Sequence, residues 1–182
     1  MNLEDNERID TSMIDGKQIA EILTIAFEFC TYIEQSKSQK KEEILIYLNS
    51  LLPLLYLKGT LLQIPEQEFD YQAERHVTEQ VWEDIYIELK ELFKEDDSYF
   101  VWNSELKEAE EQSLSENIAD IYQDAKDFIL LYTTYSYHAK MTAIVMFTEL
   151  FYARWGLIIS SMLRHIHYLI YIKEQNKLSE YE

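Results

Sequence analysis

The sequence predicts an all-α protein, a single-domain bundle of five to seven helices with a central apolar C-terminal helix or helix pair. Three observations support this prediction. The 182 residues include only 3 Gly and 2 Pro, whereas a sheet protein needs a turn signal about every 8–12 residues. Hydrophobic residues make up 47% of the chain, which is enough for a core without disulfides at this length. Apolar residues also recur at helical spacing along most of the chain.

The helical pattern sets the predicted domain bounds. Residues 1–13 are mostly polar and acidic, and we predict that they form a mobile N-terminal lead. Residues 14–172 carry the helical patterns and form the predicted bundle domain. Residues 173–182 form a polar tail. No internal repeat and no second domain is indicated.

The first three predicted helices have recognisable ends. Asp15 can cap the first helix, which ends at the SKSQKK run. The second helix carries a leucine-rich stripe and ends at Lys58–Gly59, where we expect Gly59 to adopt a left-handed conformation. A connection over residues 60–77 follows, and Thr78 then caps the third helix.

The second half of the chain is predicted to contain the most buried element. Residues 94–112 give a weak signal, in which EDDSYFVW indicates a short turn and ELKEAEEQ indicates a helical piece or a solvated arm. Ser113 and Glu116 form a capping box for the fourth helix. Residues 138–172 are the most apolar part of the chain. We expect them to be the most buried, as one long helix or two joined near Trp155–Gly156.

The formal net charge of −18 limits the classes of partner. Such acidity disfavours binding to nucleic acid and to anionic membrane surfaces. We therefore expect a protein partner with a basic or mixed surface, and the sequence also allows a homo-oligomer. The charge can instead serve solubility alone. The N-terminus does not resemble a secretory signal, and charged residues interrupt the apolar C-terminal segment, so we expect a cytoplasmic protein without a membrane span.

The stretch SENIADIYQDAKD, residues 115–127, places Glu116, Asp120, Asp124 and Asp127 along one side of the predicted fourth helix. A helical wheel puts these carboxylates opposite the apolar face, which favours a solvated surface. A metal site is one alternative, because Mg²⁺ and Mn²⁺ prefer carboxylate ligands. Metal sites in helical bundles often add a Glu-x-x-His pair, and this sequence contains none. We therefore predict no metal, no cofactor and no catalytic residue.

The other alternative is an ion-pair network. The apolar C-terminal segment carries two arginines and a histidine, and a buried arginine needs an acidic partner. We predict that aspartates of the fourth helix pair with Arg154 or Arg164. The predicted polar network has these members: Asp120, Asp124, Asp127, Arg154, Arg164, His167 and Tyr122.

Three stretches together resemble a bacterial domain-of-unknown-function family, serial five-zero-six-three, which is built from helices. They are LLPLLYLKGTLL (51–62), SLSENIADIYQDAKDFI (113–129) and WGLIISSMLRHIHYL (155–169). The middle stretch resembles the family pattern L-A-D-I-Y-x-D-x-K. Positions that match the family are Asp120, Tyr122, Asp124, Lys126, Trp155, Gly156, Arg164 and His167.

The chain departs from that family pattern in two places. Asn117 stands where the family carries more acid, and Leu157 and Ile158 stand where it often has a histidine. The missing imidazole weakens a metal or acid–base site. The family has no assigned activity, so the resemblance supports the fold and supplies no reaction.

No established catalytic motif is present, neither a phosphate-binding glycine loop, a nucleophile elbow nor a Cys-x-x-Cys pair. The sequence therefore leaves the function unknown and favours a non-enzymatic cytoplasmic helical module for interaction or regulation. The alternative is a metal-assisted hydrolase or small-molecule binder that uses the Asp120/Asp124 face.

Overall fold

The computed structural model describes residues 16–64 and 75–173. The predicted lead at residues 1–13 lies outside this part, as does nearly all of the predicted tail. The helices are α1 (Lys17–Ile33), α2 (Lys41–Gly59), α3 (Glu79–Phe93), α4 (Leu114–Tyr132), α5 (Tyr137–Leu150) and α6 (Gly156–Tyr171). Two short strands, β1 (Ser98–Asn103) and β2 (Glu108–Ser113), form an antiparallel hairpin. The predicted class, a mostly helical single domain with a long C-terminal helix, is confirmed, and the hairpin is an addition to it.

The helices α5 and α6 are continuous and together span Tyr137–Tyr171, a helix of 35 residues. Five residues in its middle, Phe151–Trp155, wind as a π-helical turn. If α5 and α6 are counted as one helix, the described residues form five helices. By length and composition alone it is able to cross a membrane, a test that core helices of soluble proteins also pass; 61% of its most apolar window is buried inside the fold.

The helix α4 lies at the centre of the bundle, in contact with α1, α3 and α5. We expected residues 138–172 to be the most buried element. The α5 part agrees, because residues 141–148 are all buried. The α6 part differs, because it packs mainly on α2 and leaves Leu157 71% exposed. A helix at the edge of a bundle buries one face only.

Thr78 and Ser113 form the predicted N-caps, and of the predicted Ser113–Glu116 capping box the bond to the Ser113 side chain is formed. Thr78 Oγ1 accepts a hydrogen bond from the backbone N–H of Val81 at 3.3 Å. Ser113 Oγ accepts one from the backbone N–H of Glu116 at 3.1 Å. Each bond satisfies a backbone donor that the helix itself leaves unpaired. The third predicted cap, Asp15, lies outside the described residues.

Gly59 ends α2, but the predicted left-handed conformation is wrong, because no glycine in the described ranges has a positive φ. Close packing explains this glycine instead. A Cβ atom on Gly59 would lie 2.5 Å from the Trp155 ring and 2.6 Å from the Phe151 ring. The end of α2 therefore sits directly against the π-turn.

Residues 94–112 differ most from the prediction. The expected turn and helical piece or arm are replaced by the hairpin, whose register runs from Ser98 opposite Ser113 to Asn103 opposite Glu108. Tyr99 points into the core and is 5% exposed, whereas Phe100 and Trp102 on the other face are 66% and 63% exposed.

The residues of the hairpin explain its formation. Aromatic and β-branched residues fill β1 over residues 99–102, and these types favour strands. Asn103 Oδ1 then accepts the backbone N–H groups of Glu105 at 2.9 Å and Leu106 at 3.1 Å, which closes an Asn-initiated turn. Lys107 completes the reversal with a φ of 58°.

Candidate functional site

The carboxylate of Asp124 lies at the centre of the acidic stripe, and its side chain is 0% exposed. Arg154, in the π-turn, donates from Nε to Oδ2 at 3.0 Å and from Nη2 to Oδ1. Arg75, which precedes α3, donates from Nη1 to the same Oδ1 at 2.6 Å. Two arginines from distant parts of the chain therefore hold one buried carboxylate of α4.

Asp127 orders the segment that leads into α3. Its Oδ1 accepts the backbone N–H groups of His76 at 2.9 Å and Val77 at 2.8 Å. Its Oδ2 accepts a hydrogen bond from Arg75 Nη1 at 3.2 Å. Because α3 begins at Glu79, these bonds fix the start of α3 against α4.

Asp120 completes the group and is the most accessible of the three aspartates. Its Oδ1 accepts the indole N–H of Trp82 at 2.9 Å. Its Oδ2 lies 3.9 Å from Arg154 Nη1. We call the following residues the aspartate–arginine cluster: Asp120, Asp124, Asp127, Arg75 and Arg154.

The helical wheel placed these aspartates on a solvated face, and for two of them this is wrong. Asp124 and Asp127 are 1% and 2% exposed. A wheel describes a helix in isolation, whereas here Arg154 and residues 75–77 cover the polar side of α4. The buried charges are tolerated because cationic and backbone donors hydrogen-bond their oxygens.

Tyr122, a predicted member of the network, lies at a different contact. Its hydroxyl donates to Glu34 Oε1 at 2.9 Å, and Lys126 Nζ lies 2.7 Å from the same oxygen. Burial and the hydrogen bond to Glu34 raise the pKa of Tyr122 above its ordinary value. This contact joins α4 to the end of α1 and does not reach the aspartates.

Arg164 and His167 also stay outside the cluster, in contrast to the prediction. Both are exposed on α6, and His167 contacts the ring of Tyr171 with centroids 4.7 Å apart. The reason is position along the helix. Arg154 lies in the π-turn beside α4, and Arg164 follows about 15 Å further along the axis. The Asp–Arg contact therefore forms at Arg154.

The cluster is closed to solvent at its centre. Burial raises the pKa of Asp124, and its two arginine partners oppose that rise. A metal ion or substrate would have to displace a guanidinium to reach this carboxylate. Among residues 16–64 and 75–173, no group of three or more His, Cys, Asp or Glu side chains is arranged to hold a metal ion. The geometry fits a structural link between α3, α4 and the π-turn.

A second site is an open cleft between β1 and α6, with a volume of about 450 Å³. Such a volume falls within the range of about 300–1,000 Å³ that is typical of ligand pockets. We call it the β1–α6 cleft. Its lining residues are Ser98, Tyr99, Phe100, Val101, Trp102, Ser160, Ser161, Arg164, His165 and Tyr168.

The wall of the cleft is built around Tyr99. Its ring stacks on His165 with centroids 4.9 Å apart, and its hydroxyl accepts a hydrogen bond from Asn117 Nδ2 at 2.6 Å. Burial raises the pKa of Tyr99.

The histidine and a serine of the cleft bond to other groups. His165 Nε2 lies 3.0 Å from the backbone oxygen of Asp96, and Ser161 Oγ donates to a helix carbonyl at 2.9 Å. Among the residues that line the cleft, no serine–histidine hydrogen bond of the kind that activates a nucleophile is formed.

The charge of the cleft differs from that of the whole chain. None of its lining residues is acidic, and neither β1 nor α6 contains an Asp or Glu. Arg164 lies in the lining and is exposed. Within the described ranges, Arg164 forms no ion pair. The lining therefore combines aromatic residues with one arginine, and Glu111 of β2 borders it, because its carboxylate accepts a hydrogen bond from Ser98 Oγ.

Residues 14–172 match the protein family described as domain of unknown function DUF5063. The chain belongs to this family. The match confirms the resemblance that was based on the three stretches at residues 51–62, 113–129 and 155–169. The crystal structure of protein BF1032 from Bacteroides fragilis is similar, with 32% sequence identity over 88% of this chain and 96% of that chain, and a TM-score of 0.78. No curated protein matches the chain.

In this DUF5063 domain, sequence reasoning missed the second arginine of the cluster and the whole cleft. Arg75 lies in the segment interpreted as a plain connection, and no local pattern marks it as a partner of α4. The cleft was missed because β1 was missed. The run of strand-forming residues over 99–102 was the available signal.

Proposed function

We propose that this DUF5063 domain is a non-enzymatic interaction module that binds a partner protein in the β1–α6 cleft. The observation that supports this most directly is the combination of exposed aromatic residues and an exposed arginine in the lining of the cleft. A binding surface for a particular partner explains it.

The side chains of the cleft suit protein recognition. Phe100 and Trp102 of β1 are more than half exposed, and Tyr168 and Arg164 of α6 line the same cleft. Aromatic residues and arginine are the types that contribute most to binding energy at protein interfaces. The cleft is also well supported, because Tyr99 and His165 fix β1 and α6 to each other.

The alternative, a metal-assisted hydrolase or small-molecule binder at Asp120 and Asp124, has less support. Asp124 is buried beneath two arginines, and Asp120 is engaged by Trp82. The acidity of the chain supports a protein partner over nucleic acid or a membrane surface. A cytoplasmic location remains part of this proposal.

Photo-crosslinking in the source organism tests the proposal. A photoreactive phenylalanine analogue replaces Trp102 in the cleft or, as a matched control, the fully exposed Tyr135 outside it. We expect a discrete adduct with another protein from position 102, and loss of that adduct when Arg164→Glu is added. Equal adducts from both positions, or adducts that Arg164→Glu leaves unchanged, would contradict a partner in the cleft.

A further inference from the structure

The free edge of β1 carries backbone groups that do not bond to β2. The backbone N–H of Leu114 donates to the oxygen of Asp97 at 2.8 Å, and this pair continues the register of the hairpin. Opposite residues of an antiparallel ladder alternate between pairs that exchange hydrogen bonds and pairs that do not. Tyr99 and Val101 therefore bond to β2, whereas the N–H and C=O groups of Phe100 point away from it.

The same alternation applies to the neighbours of Phe100 at two-residue spacing. Ser98 and Trp102 also direct their backbone groups away from β2. The hairpin is two-stranded in the described part of the chain, so this edge has no strand partner there. All three residues line the β1–α6 cleft, and no residue of β2 does. The unpaired edge therefore faces the cleft.

We propose that the cleft binds an extended peptide segment of a partner protein, which adds a strand to the edge of β1 and places an Asp or Glu carboxylate on Arg164. This inference rests on the proposed function and specifies its partner. The backbone of the segment bonds to Ser98, Phe100 and Trp102. Addition of a strand to an exposed sheet edge is a recurrent mode of peptide recognition.

Charge complementarity identifies the acidic residue of the segment. Arg164 is an exposed guanidinium in the cleft, and a carboxylate can bind it with two parallel hydrogen bonds. The rest of this acidic protein repels further negative charge. The segment should therefore carry its carboxylate at the position that meets Arg164 and be neutral or basic elsewhere. This agrees with the mixed partner surface that the composition predicts.

A second copy of the chain fits the edge less well. It would bring a further net charge of −18 to the contact, and β1 itself contains no acidic residue to meet Arg164. We therefore assign the cleft to a different protein.

Selection from a phage-displayed library of random nonapeptides tests this inference directly. The full chain is the bait, and Arg164→Gln is the matched counter-bait. We expect selected peptides to share alternating apolar residues and one Asp or Glu. Selection of purely basic or helix-forming peptides, or none above background, would overturn the inference.

Two substitutions at one residue separate backbone pairing from side-chain contact. Phe100→Pro removes an N–H that points into the cleft and spares the ladder to β2, as proline on an edge strand allows. Phe100→Ala also removes the aromatic ring but keeps that N–H. For a selected peptide, we expect Phe100→Pro to weaken binding at least about tenfold more than Phe100→Ala.

Arg164→Gln provides a second measurement if Phe100→Pro fails to fold. Since Arg164 is exposed, this variant should keep the wild-type melting temperature, and we expect it to weaken binding about tenfold. Equal affinity for both Phe100 variants, or no effect of Arg164→Gln, would overturn strand addition even where crosslinking from position 102 succeeds. Concentration-dependent dimers that Phe100→Pro abolishes would assign the edge to a second copy instead and contradict the inference.

Discussion

Two arginines of the same long helix have opposite surroundings. Arg154 lies in the π-turn and holds Asp124 with two hydrogen bonds. Arg164 lies on α6 at the edge of the β1–α6 cleft, and none of the residues lining that cleft is acidic. Both look alike in the sequence, as a single cation within an apolar segment. The structure makes the first a link between helices and leaves the second available for binding.

The difference shows how position in a bundle decides the role of a charge. The π-turn contacts α4, so an arginine there meets buried carboxylates whose desolvation it must offset. The α6 face next to β1 is open to solvent, so an arginine there has no such requirement. Stability and binding should therefore depend on different arginines, and this comparison can be tested by substitution.

Loss of Arg154 should have the largest effect on stability. In Arg154→Leu, Asp124 keeps only Arg75 as a cationic partner, at a carboxylate that is fully buried. Removal of one member of a buried ion pair costs about 3–5 kcal/mol. Because Arg75 remains, we expect a loss near the lower end, about 3 kcal/mol, in urea denaturation.

A matched control tests whether the loss comes from the orphaned carboxylate. In the double variant Asp124→Leu/Arg154→Leu, the buried charge is removed together with its partner. Replacement of both members by apolar residues is often near neutral, so much of the lost stability should return. A loss below about 1 kcal/mol for Arg154→Leu alone would break the contrast between the two arginines.

The contact that fixes the π-turn should have the next largest effect. A methyl group at Gly59 would overlap the rings of Trp155 and Phe151, which form the turn that carries Arg154. Overpacking of a core costs about 1–3 kcal/mol, and the better helix propensity of alanine offsets part of it. We expect Gly59→Ala to lose about 1–2 kcal/mol, measured by urea denaturation. The exposed Ser50→Ala in the same helix is the control and should change by less than about 0.5 kcal/mol.

Acid should weaken the support of the cleft. Asp96 lies just before β1 and binds Lys41 at 2.8 Å and also Lys173 after α6. Burial opposes its ionisation, but the hydrogen bonds from Lys173 and Lys41 outweigh burial and lower the pKa of Asp96. A carboxyl with a lowered folded pKa stabilises the fold above its unfolded pKa, about 3.9, and this stabilisation is lost as the pH falls.

The substitution Asp96→Asn isolates this contribution. We expect the variant to be less stable than wild type by about 1 kcal/mol at pH 7. The difference should shrink as the pH falls below about 4, because the Asp96 carboxyl is then protonated in the unfolded wild type and, at still lower pH, in the folded protein as well. Denaturation curves at several pH values measure it. A difference that is constant between pH 7 and pH 3 would show that this charge does not hold α6 beside β1.

The helical core was predictable because its signals are local. Thr78 and Ser113 bond to backbone groups three residues ahead, and the apolar stripes repeat within each helix. Gly59 shows the limit of such signals. Its position at a helix end predicted a left-handed cap, whereas its actual constraint is the ring of Trp155, 96 positions later in the chain.

The sites were less predictable because they depend on distant pairs. The Asp–Arg interpretation of the acidic stripe came from the cost of burying an arginine, and the structure places Arg154 on Asp124. The sequence did not distinguish Arg154 from Arg164, since that depends on which neighbour each part of the helix meets. Arg75 had no local signal at all. The cleft was not predicted because β1, which forms one of its walls, is only a short run of strand-forming residues between helices.

Loss of Arg164 should have the smallest effect on stability and the largest on binding. Arg164 is exposed and makes no ion pair within the described ranges, so Arg164→Leu should change the free energy of unfolding by less than about 0.5 kcal/mol. The same substitution should abolish the adduct from position 102, because the carboxylate of the partner loses its guanidinium. A stability loss of about 3 kcal/mol would instead show that Arg164 is a buried structural charge like Arg154, and it would remove the basis for assigning binding to the cleft.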